Sequence, residues 1–249
     1  MEFGIVDEKG GVDTENAKYA WDDIKKAYDT ERKYQFTGQQ MNEALTILKT
    51  YSQLLAMLVS ENYTDKLSKR AEEMGKSMGE AVDSYNKKFR ANNPLRSPGG
   101  ELAGLIRGAG GIYIRNQQER ILRDTLSKAD PLVKDLMSEV EIIALKKMKP
   151  SFENYEDNNL GKSFKSVANS KGNLQVETIL FVYDNLSRVR QGIELSDKIA
   201  RAAHTYMIAH EKLVENTRTR RNLKYAVAEI EALKKEVEAA KDIRDKLVK

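Results

Sequence analysis

The stretch from residue 179 to residue 214, ILFVYDNLSRVRQGIELSDKIARAAHTYMIAHEKLV, decides the fold class. Apolar or small residues recur in it at steps of three and four without interruption. The recurring positions are Ile179, Val182, Leu186, Val189, Ile193, Ser196, Ala200, Ala203, Met207, His210 and Val214. Such steps lie along one side of an α-helix and form a coiled-coil-like seam, whereas a strand would alternate at every second residue. The stretch is therefore predicted to be one long helix.

Two more seams with the same spacing lie on either side of this stretch. The earlier seam comprises Tyr34, Gly38, Met41, Leu45, Leu48, Ser52, Leu55 and Val59, and the later one comprises Leu223, Ala226, Ile230, Leu233, Val237, Ala240 and Leu247. The later seam is out of phase with the one that ends at Val214. This break favours a turn near residues 216–221, although a stutter in one continuous helix would produce the same shift.

Four breaks divide the predicted helices. The sequence SENYTDKL supplies a turn near residues 61–64, with Thr64 as the N-cap of the next helix. Asn92, Pro94 and Pro98 interrupt residues 91–98. Residues 149–175 form a polar, turn-rich loop with a short helical piece around Phe164 and Val167. The chain is predicted to be an all-α, elongated helical bundle of about five helices over residues 14–249, after a disordered lead-in of residues 1–13.

The composition supports this class and excludes several functions. The apolar fraction is 40%, the charged fraction is 32% and aromatic residues make up 7%, which is typical of helical proteins. A net charge of +4, from 42 basic and 38 acidic residues, is too balanced for a nucleic-acid-binding protein. The absence of cysteine excludes disulfides, zinc–thiolate sites and cysteine nucleophiles. The sequence contains no run of 18 apolar residues, so no transmembrane helix is predicted.

The segment GGELAGLIRGAGGIYI, residues 99–114, is the most unusual stretch of the chain. No strand is predicted before it and its glycines do not follow G-x-G-x-x-G, so it is not a dinucleotide-binding loop. Gly100, Gly104 and Gly108 recur every four residues and form a stripe that would let a neighbouring helix pack closely. The alternative is contact with a membrane, which Arg107 in the middle of the segment disfavours.

Two histidines invite a catalytic or metal-binding interpretation. His204 and His210 are six residues apart, which places them about 120° apart around a helix, so they cannot bind one ion together. Neither H-E-x-x-H nor E-x-x-H is present. His210 lies in the apolar seam, where it is predicted to be a hydrogen-bonded core histidine, with a pH-sensing role as the alternative. No catalytic residues, metal site or cofactor site can be assigned.

A basic cluster lies near the predicted turn at residues 216–221. The sequence TRTRRNLK brings together Arg218, Arg220, Arg221 and Lys224. Cations near a helix C-terminus interact favourably with the helix dipole, which would make the cluster a solvated helix end. The alternative is a surface for an anionic partner, either lipid headgroups or an acidic protein face.

Three motifs give the chain a family resemblance. They are YSQLLAML at residues 51–58, SENYTDKL at 60–67 and GGIYIRNQQERILRDTLSKADPLVKDL at 110–136. In these motifs the chain resembles a loosely defined set of Gram-negative exported proteins, lipoproteins of unknown function. The resemblance implies a signal peptide and an acylated cysteine ahead of Met1, and hence a periplasmic or outer-membrane-anchored protein. Without such a segment, which residues 1–16 do not resemble, the expected location is cytoplasmic.

These observations together predict a non-enzymatic helical interaction or scaffold protein of the bacterial cell envelope. A protein partner is expected, contact with a membrane surface is possible and nucleic acid is not an expected ligand. The alternative is a membrane-active helical protein of the pore-forming type, in which residues 99–114 leave the bundle to meet lipid.

Overall fold

All regular structure is helical in the part of the chain that the structure, a computed structural model, describes: residues 14–60, 64–108, 115–162, 164–165, 176–219 and 223–247. The α-helices are α1 (Thr14–Leu58), α2 (Asp65–Phe89), α3 (Gly99–Gly108), α4 (Arg115–Ile142), α5 (Lys149–Asn154), α6 (Val176–Thr219) and α7 (Leu223–Leu247). Two π-helical turns, Ile143–Met148 and Tyr155–Leu160, flank α5. The all-α prediction is confirmed.

The chain divides into two compact units, Met1–Gln39 and Gln40–Lys249. The sequence predicts one bundle from residue 14 onward, whereas the contacts separate the chain between Gln39 and Gln40. The described part of the first unit is the helical segment 14–39 of α1. The predicted disordered lead-in, residues 1–13, lies outside the described residues.

The second unit contains the hydrophobic core. In α1 the predicted seam is buried from Met41 to Val59, and in α6 it is buried at Val189, Ser196 and His210. The seam of α7 is buried at Ala226, Ile230, Leu233, Val237 and Ala240. Each fully buried Leu or Ile contributes about 1.5–3 kcal/mol through the hydrophobic effect, so these seams hold the bundle together.

α6 and α7 pack against each other. A single continuous helix cannot pack against itself in this way, so the out-of-phase seams belong to two separate helices. The stutter is thereby excluded as the explanation of the phase shift. Residues 220–222, between the two helices, lie outside the described residues.

Local hydrogen bonds fix both ends of α2. The Thr64 hydroxyl accepts a hydrogen bond from the Leu67 N–H at 3.4 Å and so caps the start of α2. At the other end, the Asn86 side chain donates to the Leu95 carbonyl at 2.8 Å and accepts from the Leu95 N–H at 2.7 Å. The segment containing Pro94 is therefore held against α2.

Gly100, Gly104 and Gly108 do not make the close helix contact that the sequence predicts. A Cβ built on any of these three glycines would meet no atom within 4 Å in the described part of the chain. The close approach is made by Gly99, where a Cβ would lie 2.3 Å from the Cα of Gly79 in α2. Gly99 is in phase with the buried residues Leu102 and Ile106, whereas the predicted stripe shares its side with charged residues.

Pro131 lies inside α4 and does not end it. An aspartate directly before a proline, as Asp130 is here, favours a helix cap or a kink, but α4 continues through both residues from Arg115 to Ile142. The Asp130 carboxylate instead pairs with Lys134 at 3.1 Å and faces His210. The missing N–H of Pro131 removes one hydrogen bond from the helix, which the surrounding packing of α4 tolerates.

The predicted polar loop at residues 149–175 is helical as far as residue 162. Three contacts hold this segment on α6: Lys149 binds Asp197 at 2.9 Å, Glu156 pairs with Arg190, and the Phe152 ring covers Gly192. A Cβ on Gly192 would come within 2.7 Å of that ring. Tertiary contacts thus override the turn-forming composition of the segment, which is why the sequence prediction of a loop was wrong here.

A buried polar network joins α1 to α4 near the start of the second unit. Glu139 accepts hydrogen bonds from the Gln40 amide at 2.6 Å and from the Arg90 guanidinium at 3.3 Å. The Lys147 ammonium donates to the Gln40 side-chain oxygen at 2.9 Å. Gln40 and Glu139 are almost fully buried, so each polar atom depends on its partner for solvation.

Glu139→Leu is expected to lower the free energy of unfolding by about 2 kcal/mol, because Gln40 and Arg90 lose a buried acceptor. The partial exposure of the Arg90 side chain keeps the cost below that of a fully buried ion pair. Urea denaturation checks the value, with the exposed Glu238→Leu as the control. Equal midpoints for the two variants would show that the network adds nothing to stability.

Candidate interaction surfaces

An aromatic stripe lies exposed on the described part of the first unit. Trp21, Ile24 and Tyr28 are spaced by three and four residues, so they lie on one face of α1. Their exposed fractions are 57%, 51% and 59%. Large apolar side chains at this spacing, left uncovered, are the feature by which one helix fills a groove of another protein. We refer to these three residues as the α1 stripe.

Two cations cover the faces of the aromatic rings in the α1 stripe. The Lys25 ammonium lies 5.4 Å from the centre of the Trp21 ring, and the Arg32 guanidinium carbon lies 5.9 Å from the centre of the Tyr28 ring. Cation–π contacts at exposed sites are worth about 0.5–1 kcal/mol each. They hold the rings against α1 and give the α1 stripe a cationic border.

A second apolar surface lies at the start of α6. Val176, Ile179, Leu180 and Tyr183 are spaced by three, one and three residues and are all exposed, Val176 by 69% and Tyr183 by 67%. Phe181 is also exposed, but it lies on another side of the helix. We refer to the first four residues as the α6 stripe.

The α6 stripe faces away from the core of its own unit. The buried side of α6 passes through Ser196, Ala203 and His210. At about 100° per residue, these positions lie roughly 180° around the helix from Val176 and about 120–160° from Leu180. Apart from Ile179, which is in phase with the buried Val189, the α6 stripe therefore lies away from the seam that packs in the bundle, and no described residue covers it.

A buried polar cluster joins α1, α4 and α6. The Tyr51 hydroxyl lies 2.9 Å from His210 Nε2, and His210 Nδ1 lies 3.5 Å from the nearer carboxylate oxygen of Asp130. Beside them the Ser52 and Tyr206 hydroxyls are 2.9 Å apart. With its proton on Nδ1, neutral His210 accepts a hydrogen bond from Tyr51.

The electrostatics of this cluster favour neutral side chains. Burial lowers the pKa of His210 to about 4; the Asp130 carboxylate opposes that shift and the Lys134 ammonium adds to it. Burial also raises the pKa of Tyr51 well above its usual value. At neutral pH the imidazole and the phenol are uncharged and enclosed by helices. They therefore form a structural hydrogen bond, and the prediction of a hydrogen-bonded core histidine holds.

The other predicted site residues are only partly described. Arg218 is exposed in the last turn of α6, whereas Arg220, Arg221 and the Lys224 side chain lie outside the described residues, so their surface stays a prediction. His204 is exposed and is not brought together with His210. Within the described ranges, no three histidine, aspartate or glutamate side chains are grouped to hold a metal ion. No helix in the same ranges is long and apolar enough to cross a membrane.

Sequence reasoning missed both exposed stripes. The α1 stripe has a visible signal, since Trp21, Ile24 and Tyr28 follow helical spacing in a segment otherwise dominated by charge. At the start of α6 the five consecutive apolar residues 179–183 point to all sides of a helix, which one buried face cannot accommodate. Both signals indicate apolar residues in excess of what a single seam needs.

Comparisons with protein families, curated proteins and solved structures find no match to this chain.

Proposed function

We propose that the protein is a non-enzymatic helical interaction module of the bacterial cell envelope, and that a protein partner covers the α1 stripe. The observation that supports this is the exposure of Trp21, Ile24 and Tyr28 on one helical face. Tryptophan and tyrosine are enriched among the residues that dominate binding energy at protein interfaces. The partner is expected to offer an apolar groove with acidic residues at its edges, which would meet Lys25 and Arg32.

The assignment to the cell envelope rests on the motifs at residues 51–67 and 110–136, which resemble those of exported Gram-negative lipoproteins. The near balance of acidic and basic residues argues against nucleic acid as the partner. The basic cluster Arg218, Arg220, Arg221 and Lys224 is a second candidate contact in this proposal, with an acidic protein face or lipid headgroups.

The single tryptophan of the chain makes the proposal directly testable. Trp21 is the only indole, so its fluorescence reports on the α1 stripe alone. Affinity capture from an envelope extract should recover the partner, and the emission of the purified pair, after subtraction of the emission of the partner alone, is expected to shift to shorter wavelength. Ile24→Asp combined with Tyr28→Asp should abolish both signals, because charges would have to be buried in the groove.

A matched control separates loss of binding from a general effect of charge. Ile142 in α4 is exposed to a similar extent, so Ile142→Asp should leave the shift and the capture unchanged. If the emission of Trp21 does not respond, or if Ile142→Asp abolishes capture equally, the α1 stripe is not the binding surface.

The membrane-active alternative requires residues 99–114 to leave the bundle. Leu102 and Ile106 are fully buried in the core, so a segment that met lipid would have to leave it. Flotation with anionic liposomes at about pH 7 and pH 5, where carboxylates remain charged and histidine titrates, tests this alternative. Salt-resistant flotation with unchanged Trp21 emission would support the alternative and contradict the proposed interaction module. Protein that does not float leaves the interaction module in place.

A further inference from the structure

We propose that the surface where α1 meets α7 binds a phosphate group, held by Lys49 of α1 and by Lys241 and Arg244 of α7. All three residues lie in the second unit, and none of them belongs to the α1 stripe or to the α6 stripe. The proposal therefore goes beyond the proposed function and rests on different residues. We refer to these three cations as the phosphate cluster.

Two hydrogen bonds join α1 to α7 at this surface. The Lys241 ammonium donates to the Thr46 hydroxyl at 3.2 Å, and the Arg244 guanidinium donates to the Asn42 side-chain oxygen at 2.8 Å. Asn42, Thr46 and Lys49 are spaced by four and three residues and so lie along one face of α1. The half-buried Lys49 is therefore on the face of α1 that meets the two cations of α7.

The phosphate cluster has fewer carboxylates than cations. Arg244 pairs with Asp245 at 2.6 Å, whereas no carboxylate in the described part of the chain pairs with Lys49 or Lys241. Burial lowers the pKa of Lys241, the nearby charges of Lys49 and Arg244 lower it further, and Asp245 opposes the shift. The three cations thus share one carboxylate, and an anion bound among them would relieve their mutual repulsion.

The Arg244 guanidinium has donors to spare for such an anion. Its contacts with Asn42 and Asp245 are both made by Nη2, and its buried Nε has no hydrogen-bond partner among the described residues. A buried donor without an acceptor is unfavourable, especially on a charged group, and guanidinium groups bind phosphate oxygens through paired donors. The Thr46 hydroxyl, in contrast, donates to the Asn42 carbonyl at 2.8 Å, so its role is to position Lys241.

A phosphate group matches these donors in charge and in chemistry. It carries about −1.5 to −2 charges near pH 7, which balances the phosphate cluster once Asp245 is counted. Ammonium groups bind phosphate as point charges and a guanidinium binds it as a fork, so both kinds of cation suit this ligand. Because the surface is partly exposed and screened by solvent, we expect a dissociation constant of about 1–10 mM for inorganic phosphate.

A titration of the full chain with inorganic phosphate, followed by NMR, tests the site. Potassium phosphate replaces potassium chloride up to about 50 mM at constant ionic strength, so that screening stays the same. The amide signals of residues 42–49 and 241–245 are expected to shift along one saturable curve. Lys241→Met and Lys49→Met should each raise the dissociation constant about fivefold, because each removes a charged donor and keeps an apolar side chain of similar length.

Lys235→Met is the matched control. Lys235 is exposed and lies six residues before Lys241, about 120° away around α7, and its loss changes the net charge by the same amount. This variant should bind phosphate with the dissociation constant of the wild type. Circular dichroism confirms that each variant is folded.

Urea denaturation gives a second measurement of the same binding. A ligand that binds only the folded chain raises the urea midpoint, so phosphate should stabilise the wild type and Lys235→Met more than Lys241→Met. Phosphate also stabilises proteins by exclusion from their surface, which affects all three proteins alike. The difference between the proteins, and not the shift itself, therefore measures binding to the phosphate cluster.

Vesicles distinguish a lipid headgroup from a free phosphate as the natural ligand. Vesicles of phosphatidylcholine that contain phosphatidic acid present a phosphate monoester at their surface. Flotation that salt reverses and that Lys241→Met abolishes would support a lipid headgroup, whereas saturable binding of inorganic phosphate without flotation would support a free phosphate or a soluble phosphate ester. The membrane-active alternative differs from both, because it requires flotation that resists salt.

Three results would overturn this inference. The absence of saturable shifts up to about 50 mM phosphate excludes a site of the expected affinity. Equal weakening by Lys235→Met and Lys241→Met would show that phosphate responds only to the overall charge of the protein. Saturable shifts confined to residues outside α1 and α7 would place the anion elsewhere. Capture of a partner through the α1 stripe is measured separately, so each of these results refutes the phosphate site and leaves the proposed function untouched.

Discussion

Gly99→Ala is expected to lower the free energy of unfolding by about 3 kcal/mol, because the added Cβ would overlap backbone atoms. The Cβ would lie 2.3 Å from Gly79 Cα, 2.6 Å from Gly79 N and 2.8 Å from the Gly75 carbonyl oxygen. None of these atoms belongs to a side chain that could rotate away. Relief therefore requires α3 to move away from α2, which would also withdraw Leu102 and Ile106 from the core.

The same helix supplies controls with the opposite expectation. A Cβ at Gly100 or Gly104 would meet nothing within 4 Å in the described part of the chain. At these open helical positions, alanine is favoured over glycine by about 0.5–1 kcal/mol, so Gly104→Ala should be neutral or slightly stabilising. The comparison thus isolates the helix contact from the general effect of adding a methyl group.

Urea denaturation followed by circular dichroism measures the differences. Gly79→Ala should fall between the two extremes, because its Cβ would lie 3.0 Å from Gly99 Cα, and Gly75→Ala should cost less still, at 3.3 Å from the Ala103 nitrogen. The expected order of destabilisation is Gly99, Gly79, Gly75 and then Gly104. If Gly104→Ala costs as much as Gly99→Ala, the predicted stripe of Gly100, Gly104 and Gly108 is the packing surface after all.

The glycines of α3 show which part of a helix contact the sequence can predict. A tight helix contact in α3 could be expected from its small residues, but regular spacing by four pointed to the wrong side. The buried residues Leu102 and Ile106 indicate which face of α3 meets a neighbouring helix, and Gly99 lies on that face. The partner glycines, Gly75 and Gly79, lie in another helix, and sequence spacing within one helix cannot identify them.

The burial of the seams, too, could be predicted only in part from the sequence. Periodicity identified the buried sides of α1, α6 and α7, because a core selects apolar residues at every turn that meets it. It could not show that Ile179 is exposed although it is in phase with Val189. Periodicity describes one helix, whereas burial depends on whether a neighbour is present beside each turn.

The helical segment 149–162 was missed for a related reason. Its asparagines, glycine and proline favour turns locally, and only contacts with α6 reverse that preference. The pair formed by Lys149 and Asp197 joins residues 48 positions apart, and such long-range contacts leave no local signal. The two exposed stripes, in contrast, could have been inferred from the excess of apolar residues at the starts of α1 and α6.

His210→Gln is expected to make the protein less sensitive to acid than the wild type. Burial holds the pKa of His210 near 4 in the folded state, below the usual histidine value of about 6.5 in an unfolded chain. Between these two values the unfolded chain binds a proton that the folded chain does not. The free energy of unfolding therefore falls as the pH is lowered through this window, and His210 adds no pH dependence above about pH 7.

The size of the effect follows from the difference in pKa. At pH 5 the unfolded state gains about 2 kcal/mol from the protonation of this histidine, and at pH 4 about 3 kcal/mol. Glutamine cannot titrate, but its side-chain oxygen can still accept a hydrogen bond from Tyr51, as His210 Nε2 does. His210→Gln should thus be less stable than wild type at pH 7 and lose less stability between pH 7 and pH 5.

The relevant quantity is the difference between the two proteins in their loss of stability from about pH 7 to pH 5, measured by urea denaturation. Carboxylates contribute little to this difference, because wild type and His210→Gln carry the same carboxylates and their contributions cancel. Asp130→Asn provides a second test. The Asp130 carboxylate favours the protonated imidazole, so its removal should lower the pKa of His210 further. The loss of stability from about pH 7 to pH 5 should then hardly change, whereas the loss below about pH 4 should become larger. Equal losses in wild type and His210→Gln would mean that the pKa of His210 is the same in the folded and the unfolded chain, about 6.5, and that burial does not lower it.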